Sequence, residues 1–539
     1  MHCIFKHENR DTYGAQLRAK LSYLAHINVG AGGAGSVVAS RLSENPLVSV
    51  LVLEAGVDAT VLTDIPGLAM AGQLSDIDWK YRSVRQNNAN FGLCNRESTL
   101  PRGKVVGGSS ALHYMMYVRG NRNDYAQWKG LGINGWSYEE NNPFFLKSEN
   151  FQSPFIYPDS EKVHNRDGEL SVDYIGVGTE LTENFLEAGV ELGYKKIDYN
   201  GPVQTGYSYI QATVRNGTRC SSAKAFLKPQ QFRPNLVISL ESFVTKILIN
   251  DKKQAFGVEF EKGGVKNIVL AKKEVILSAG AYSSPQILML SGIGAKRHLK
   301  KHKIPIIHNL PGVGQKHARP PANPLDEALV QYVLDGTGPL SEPVGLQGTA
   351  FVNSVYADKT IDFPDMQLVY LLVPSFGLAA TKELYNICDD VWDVMSIYPM
   401  LQRPKSRGEV KLNSADPHDL PYINPRLFTD KKGDDLKVLV EGILIMPQCA
   451  HHPELSNDYF ACIAQQTTIN FYHTVGTCSM GPSSNPLAVV DERLRVHGIK
   501  GLRVADASVI PLEITGNVNV PTVMVGERCA DFIKKDNGH

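Results

Sequence analysis

Two distant stretches raise the chemical question. Gly30-Ala31-Gly32-Gly33-Ala34-Gly35 is a G-x-G-x-x-G. In that spacing Gly30 makes a tight turn, Gly32 lets the backbone approach a pyrophosphate, and Gly35 lets a helix pack on a strand. The phosphates then meet the positive end of the helix. Glu54 follows about 20 residues on, where a carboxylate accepts hydrogen bonds from ribose hydroxyls. The pattern reads as a dinucleotide site, for NAD or FAD. The second stretch is Phe471-Tyr472-His473-Thr474-Val475-Gly476-Thr477-Cys478-Ser479-Met480-Gly481, followed later by Thr515-Gly516-Asn517-Val518-Asn519-Val520-Pro521. An imidazole can take a proton near neutral pH. Nucleophilic hydrolysis has no comparable support, because the chain contains no G-x-S-x-G elbow. Cys478 has no neighbours in sequence that would activate a thiolate, and is read as packing.

A second glycine patch chooses between the two dinucleotides. Arg102-Gly103-Lys104-Val105-Val106-Gly107-Gly108-Ser109-Ser110 runs into Ala111-Leu112-His113-Tyr114-Met115-Met116. A glycine-serine run before an aromatic and methionine cluster suits close backbone approach to a large flat ligand, which an NAD enzyme does not need. Gly280-Ala281-Tyr282-Ser283-Ser284-Pro285, continuing to Gly294, follows a strand at Glu274 to Ser278. These two stretches resemble the two signature patterns of the glucose-methanol-choline (GMC) oxidoreductase family. Gly135-Trp136-Ser137-Tyr138, Arg219-x-Ser221-x-x-x-Ala225-Phe226-Leu227 and the C-terminal stretches extend the resemblance over residues 24 to 535. The wording is most similar to the insect branch of FAD- or quinone-dependent glucose dehydrogenases.

The resemblance implies FAD, and it implies roles. Gly30, Gly32, Gly35 and Glu54 would hold the ADP half. Val105, Gly107, Gly108 and Ser109 would run along the flavin ring and pyrophosphate. Val244 would pack at the adenine end, Asp506 near the ribityl or pyrophosphate region, and Asn519 near the flavin ring. His113 stands where this branch usually carries Asn. Leu112 occupies the place at which some members attach flavin to His, so the FAD is expected to be non-covalent. Alcohol oxidation needs a base for the hydroxyl proton and an acceptor for the hydride, which FAD provides at N5. His473 matches the family's catalytic base, and Asn517 its second site, filled by His or Asn. The implied activity is FAD-dependent oxidation of CH–OH groups of a sugar or other alcohol, with electrons passed to a quinone or to oxygen.

These residues need a scaffold. Leu24 to Val29 should be the entering strand. His26 and Asn28 are poor residues for a strand buried on both faces, so it is expected to be weakened but recognisable. Val37, Val38, Ala39 and Leu42 give a helix that Asn45-Pro46 ends, and Val48 to Leu53 a second strand. Phe243 to Ile249 reads as another. The resemblance implies an α/β FAD-binding domain of Rossmann-like, GMC type over residues 24–317, completed by 485–535. An α+β substrate-binding domain would occupy 325–484, with the family's C-terminal region at about 402–530. That second domain should hold an antiparallel sheet with strands at Asp365–Tyr370 and Gly408–Leu412, and a helix over Asp434–Ile445.

Composition narrows the partners. The chain has 539 residues, 43% of them hydrophobic, with Lys+Arg and Asp+Glu both at 55. That is enough for more than one core, and it carries no basic footprint for nucleic acid. No apolar run is long enough to span a membrane. The eight cysteines form no C-x-x-C and no zinc spacing, so no metal site is expected, although one or two disulfides are possible. Met1 to Lys20 does not read as a signal peptide, although relatives in the family are often secreted. Two segments look shorter than in the family. One is the proline-rich Gln315 to Pro324, and the other lies around Met446 to Leu455. They keep a second reading open, an impaired or non-catalytic flavoprotein of the same fold.

Overall fold

The computed structural model describes residues 24–315, 345–372, 395–444, 457–466 and 472–538. Apart from Gln315, both shortened segments lie outside the described residues.

A five-stranded parallel sheet forms the base of the molecule. Its strands are β1 (His26–Val29), β2 (Val50–Leu53), β3 (Leu236–Ser239), β4 (Glu274–Leu277) and β5 (Leu502–Val504), in the order β3-β2-β1-β4-β5. All four residues of β1 and of β2 are buried. Helix α1 (Gly33–Leu42) covers one face, helix α2 (Gly280–Leu290) follows β4, and the C-terminal helix α3 (Asn519–Asn537) packs on α1. Tertiary contact sustains β5, because a three-residue strand and the long α3 gain a buried partner only by returning to this sheet.

The entering strand is shorter than the 24–29 expectation, yet it pairs in full register on both sides. Asn28 accounts for this. Its amide donates to Gly30 O at 2.8 Å and Gly35 O at 3.2 Å, and its oxygen accepts from Ser278 Oγ at 3.2 Å. The polar side chain therefore braces the glycine turn and carries no unpaired cost. A Cβ at Gly35 would stand 2.1 Å from Gly30 O, so glycine is required there for the helix to sit on the turn.

A six-stranded sheet lies above. In spatial order its strands are Met395–Leu401, Met366–Leu372, Leu346–Val352, Gly206–Ala212, Leu170–Ile175 and Glu149–Phe151. All pairings are antiparallel except the last. The expected strand at Asp365–Tyr370 is here. The one at Gly408–Leu412 is not: Glu409–Lys411 pairs with Tyr422–Asn424 in a separate two-stranded ribbon. Its alternation buries Val410 against Tyr81 and Tyr282 of the lower layer, and Val410 N–H donates to Gly314 O at 2.6 Å. Three strands of the upper sheet come from residues 149–212, well before the segment expected to build it. The helix expected at 434–445 is present as Asp434–Leu444.

Candidate active site

Among the described residues, both sheets line a cavity of about 610 Å³. Its floor is the carboxyl end of the parallel sheet, where Val29, Gly30, Leu53, Glu54 and Ser278 line it. Open α/β sheets bind ligands at this edge, where the N–H groups of following helices point outward.

The two glycine patches meet there. A Cβ on Gly108 would come within 2.8 Å of Gly32 Cα, and Gly107 N–H donates to Ala31 O at 2.8 Å. The first turns of α1 and α3 converge on the same wall through Gly33, Asn519 and Thr522. Two helix N-termini side by side favour an anionic group such as a pyrophosphate. Glu54 is buried, with Oε2 accepting from Ala31 N–H and Oε1 from Gly56 N–H, both at 2.8 Å. Burial pushes its carboxyl above the usual range. Asp506 accepts from Gly280 N–H, Ser284 Oγ and Ser508 N–H, so it ties the start of α2 to the turn after β5.

Eleven of the fourteen residues singled out from sequence line the cavity: Gly30, Gly32, Glu54, Gly108, Ser109, His113, Val244, His473, Asp506, Asn517 and Asn519. Gly35, Val105 and Gly107 stand one layer behind. Val105 is fully buried and bridges Val57, while Gly35 and Gly107 hold the two glycine turns together.

At the far end Asn517 Nδ2 donates to His473 Nε2 at 3.0 Å. Asn517 Oδ1 is buried and has no hydrogen-bond partner among the described residues. His473 is buried, and that burial together with the positive charge of Arg102 pushes its imidazole down to about 3. The ring is therefore neutral near pH 7, with the Nε2 lone pair aimed at the amide. His113 is likewise pushed down to about 3, by burial and then by Arg219. Its Nδ1 accepts from Met115 N–H at 2.9 Å, which leaves Nε2 as the protonated nitrogen.

Two profiles described as GMC oxidoreductase match residues 24–319 and 404–526. The chain belongs to the GMC oxidoreductase family. A relative described as glucose dehydrogenase [FAD, quinone], from Drosophila pseudoobscura pseudoobscura, is 39% identical, covering 94% of this chain and 86% of its own. Mitochondrial choline dehydrogenase of Homo sapiens is 34% identical, covering 97% of this chain and 91% of its own. Among solved structures, an Aspergillus oryzae formate oxidase superposes with a TM-score of 0.84 at 28% identity, over 96% of this chain and 99% of its own. A pyridoxine 4-oxidase from Mesorbium loti gives 0.80 at 25%, over 96% and 100%.

This GMC oxidoreductase also uses residues that the sequence did not single out. Arg102 was visible in the second glycine patch, but nothing local gave it a role. Its guanidinium donates to Thr474 Oγ1 at 2.9 Å and lies over the rings of Tyr282 and Tyr472 at 4.7 and 5.4 Å, beside His473. The turn carrying Asn517 is held from afar. Asp124 accepts from Thr515 N–H at 2.8 Å and Thr515 Oγ1 at 2.9 Å. Gln402 Oε1 accepts from Gly516 N–H at 2.6 Å. Asp124 and Thr515 are 391 residues apart, so no local signal could reveal the contact. Among the described residues no cluster could hold a metal ion, and no helix is long and apolar enough to cross a membrane.

Proposed function

We propose that this GMC oxidoreductase binds FAD non-covalently and oxidises a CH–OH group of a sugar or other alcohol, with a quinone or oxygen as electron acceptor. The His473–Asn517 pair carries this reading, because it stands at one end of the cavity that also holds the glycine cradle and Glu54. The cradle suits FAD: two glycine backbones face each other without room for side chains, two helix N-termini converge, and a buried acid stands beside them. Gly30, Gly32, Glu54 and Val244 would hold the ADP half, and Gly108, Ser109, His113, Asp506 and Asn519 the flavin side. Leu112 offers no nitrogen for a covalent link.

Bound there, FAD supplies at N5 the acceptor for the hydride that leaves the alcohol carbon as its carbonyl forms. The protein's own residues handle the proton. Neutral His473 takes it from the hydroxyl at Nε2, the atom to which Asn517 Nδ2 donates. Asn517 then turns its amide to the substrate oxygen and orients it. Burial, reinforced by the charge of Arg102, keeps His473 unprotonated before the substrate arrives. That His473 and Asn517 contact each other in the cavity that also holds the glycine cradle supports an enzyme over an impaired flavoprotein.

An absorption spectrum of the purified protein, before and after denaturation and removal of precipitate, tests this. A flavin spectrum that stays in the supernatant is expected. A folded, colourless protein that FAD does not reconstitute would overturn the reading.

A further inference from the structure

Where the upper sheet lines the cavity, its side chains are Leu346, Val369, Tyr398 and Met400, apolar apart from the Tyr398 hydroxyl. Val369 and Tyr398 sit opposite each other on neighbouring strands of the upper sheet, and Met400 lies two residues further along the same face. Leu346, Met115 and Met116 complete the wall, and these side chains form one hydrophobic cluster. The amide side chains on that face are already committed. Gln367 Nε2 donates to Thr349 Oγ1 at 3.2 Å, Gln402 Nε2 to Met400 O at 2.9 Å, and Gln402 Oε1 accepts from Gly516 N–H.

A sugar ring brings several hydroxyls, each of which needs a partner once it leaves water. Among the described residues this wall offers them little, whereas it would favour hydrocarbon or an aromatic ring. Three of the strands that build it, Leu346–Val352, Met366–Leu372 and Met395–Leu401, fall between the two segments that match the family profiles. The wall can therefore differ from that of a sugar-oxidising relative while cradle and catalytic pair stay alike. We infer that the substrate is an alcohol with an apolar or aromatic body, seated against Leu346, Val369, Tyr398 and Met400 with its hydroxyl at His473 and Asn517. This rests on the alcohol-oxidising reading above.

The test uses the flavin-loaded protein without oxygen, mixing it with benzyl alcohol, cyclohexanol or D-glucose and following loss of flavin absorbance. Roughly 10-fold or greater preference in the second-order rate constant of flavin reduction is expected for the apolar alcohols over glucose. Val369→Asn should narrow that preference while dithionite still reduces its flavin fully. Calorimetry with 2-phenyl-2-propanol, a tertiary alcohol with no transferable hydride, and with methyl glucoside gives a readout independent of turnover. Faster reduction by glucose would overturn the inference and leave the alcohol-oxidising reading standing. If no alcohol reduces a flavin that dithionite does reduce, that earlier reading falls. Binding of 2-phenyl-2-propanol but not the glucoside would then still support the apolar seat, and binding of the glucoside, or of neither, would refute it.

Discussion

His473 meets an amide, and His164 meets two carboxylates. Both rings are buried in the same molecule. His164 Nδ1 lies 2.8 Å from Glu149 Oε1, and its Nε2 lies 2.8 Å from Asp198 Oδ2. Arg119 completes the group at 2.6 Å from Glu149. Burial alone would lower His164, but the charge of Glu149 and the bonds to both acids raise it above its ordinary value. At His473 burial and Arg102 act in the same direction, and the ring is pushed down to about 3. Burial is common to both sites, so the neighbours decide the protonation state. Carboxylate partners favour the protonated ring and raise its pKa. An amide partner brings no negative charge, and burial keeps the ring neutral.

His473→Ala should separate the two histidines most widely. Loss of the base should slow flavin reduction by alcohol about 10²–10⁴-fold in stopped flow, with the flavin spectrum and melting temperature little changed. His164→Leu should do the reverse. It strips a partner from two buried carboxylates, and destabilisation of about 3–5 kcal/mol is expected in denaturant melts, with turnover per folded molecule retained. If His164→Leu lost activity while keeping its stability, the contrast would fail.

The contrast can also be broken deliberately. Asn517→Asp puts a carboxylate where the amide touches Nε2 and makes the catalytic ring resemble His164. The His473 pKa should rise by about 1–3 units. The acid limb of the kcat/KM profile should move upward by a corresponding amount. An unmoved limb would show that the pair does not set that ionisation. A smaller effect is expected for Gln402→Ala, which leaves the Gly516 N–H buried and unpaired at a cost of about 1–3 kcal/mol. It should lower kcat by loosening the Asn517 turn while FAD affinity holds, as a flavin titration would show.

The pH dependence of stability sharpens the comparison further. His164 has a raised folded-state pKa, so its contribution is complete below its ordinary value of 6.5 and is lost as pH rises through the folded value. Glu149 and Asp198 are lowered, so theirs is present above 4.5 and 3.8 and is lost as pH falls, for Asp198 through about 2. The cluster therefore stabilises most between pH 4.5 and 6.5. His473 and His113 act oppositely, weakening the fold as pH drops below 6.5 because the unfolded chain binds those protons more readily. Melting temperatures of wild type and His164→Gln, measured from pH 5 to 9, should converge on the alkaline side.

Local features were legible and distant ones were not. The glycine turn, Glu54 and the strands around them follow from contiguous residues, and they sit within two residues of where the pattern placed them. Asn28 was read as a weakness because a propensity rule does not see Gly30 O, Gly35 O and Ser278 Oγ around it. The segment Glu409–Lys411 was legible as a strand, but not as one that pairs outside the large sheet. Arg102, Asp124 and Gln402 left no signal of their roles, since each acts on residues more than a hundred positions away.

The sequence by itself determined the dinucleotide turn, its acid and the residue types of the candidate pair His473 and Asn517. Those depend on backbone geometry over a few residues and on intrinsic side-chain chemistry. Only the tertiary structure decided that burial and Arg102 lower the His473 pKa while carboxylates raise that of His164, and that the upper sheet lines the cavity with mostly apolar side chains. Protonation and solvation depend on the neighbours within a few ångströms, and for these side chains the chain supplies those neighbours from distant segments.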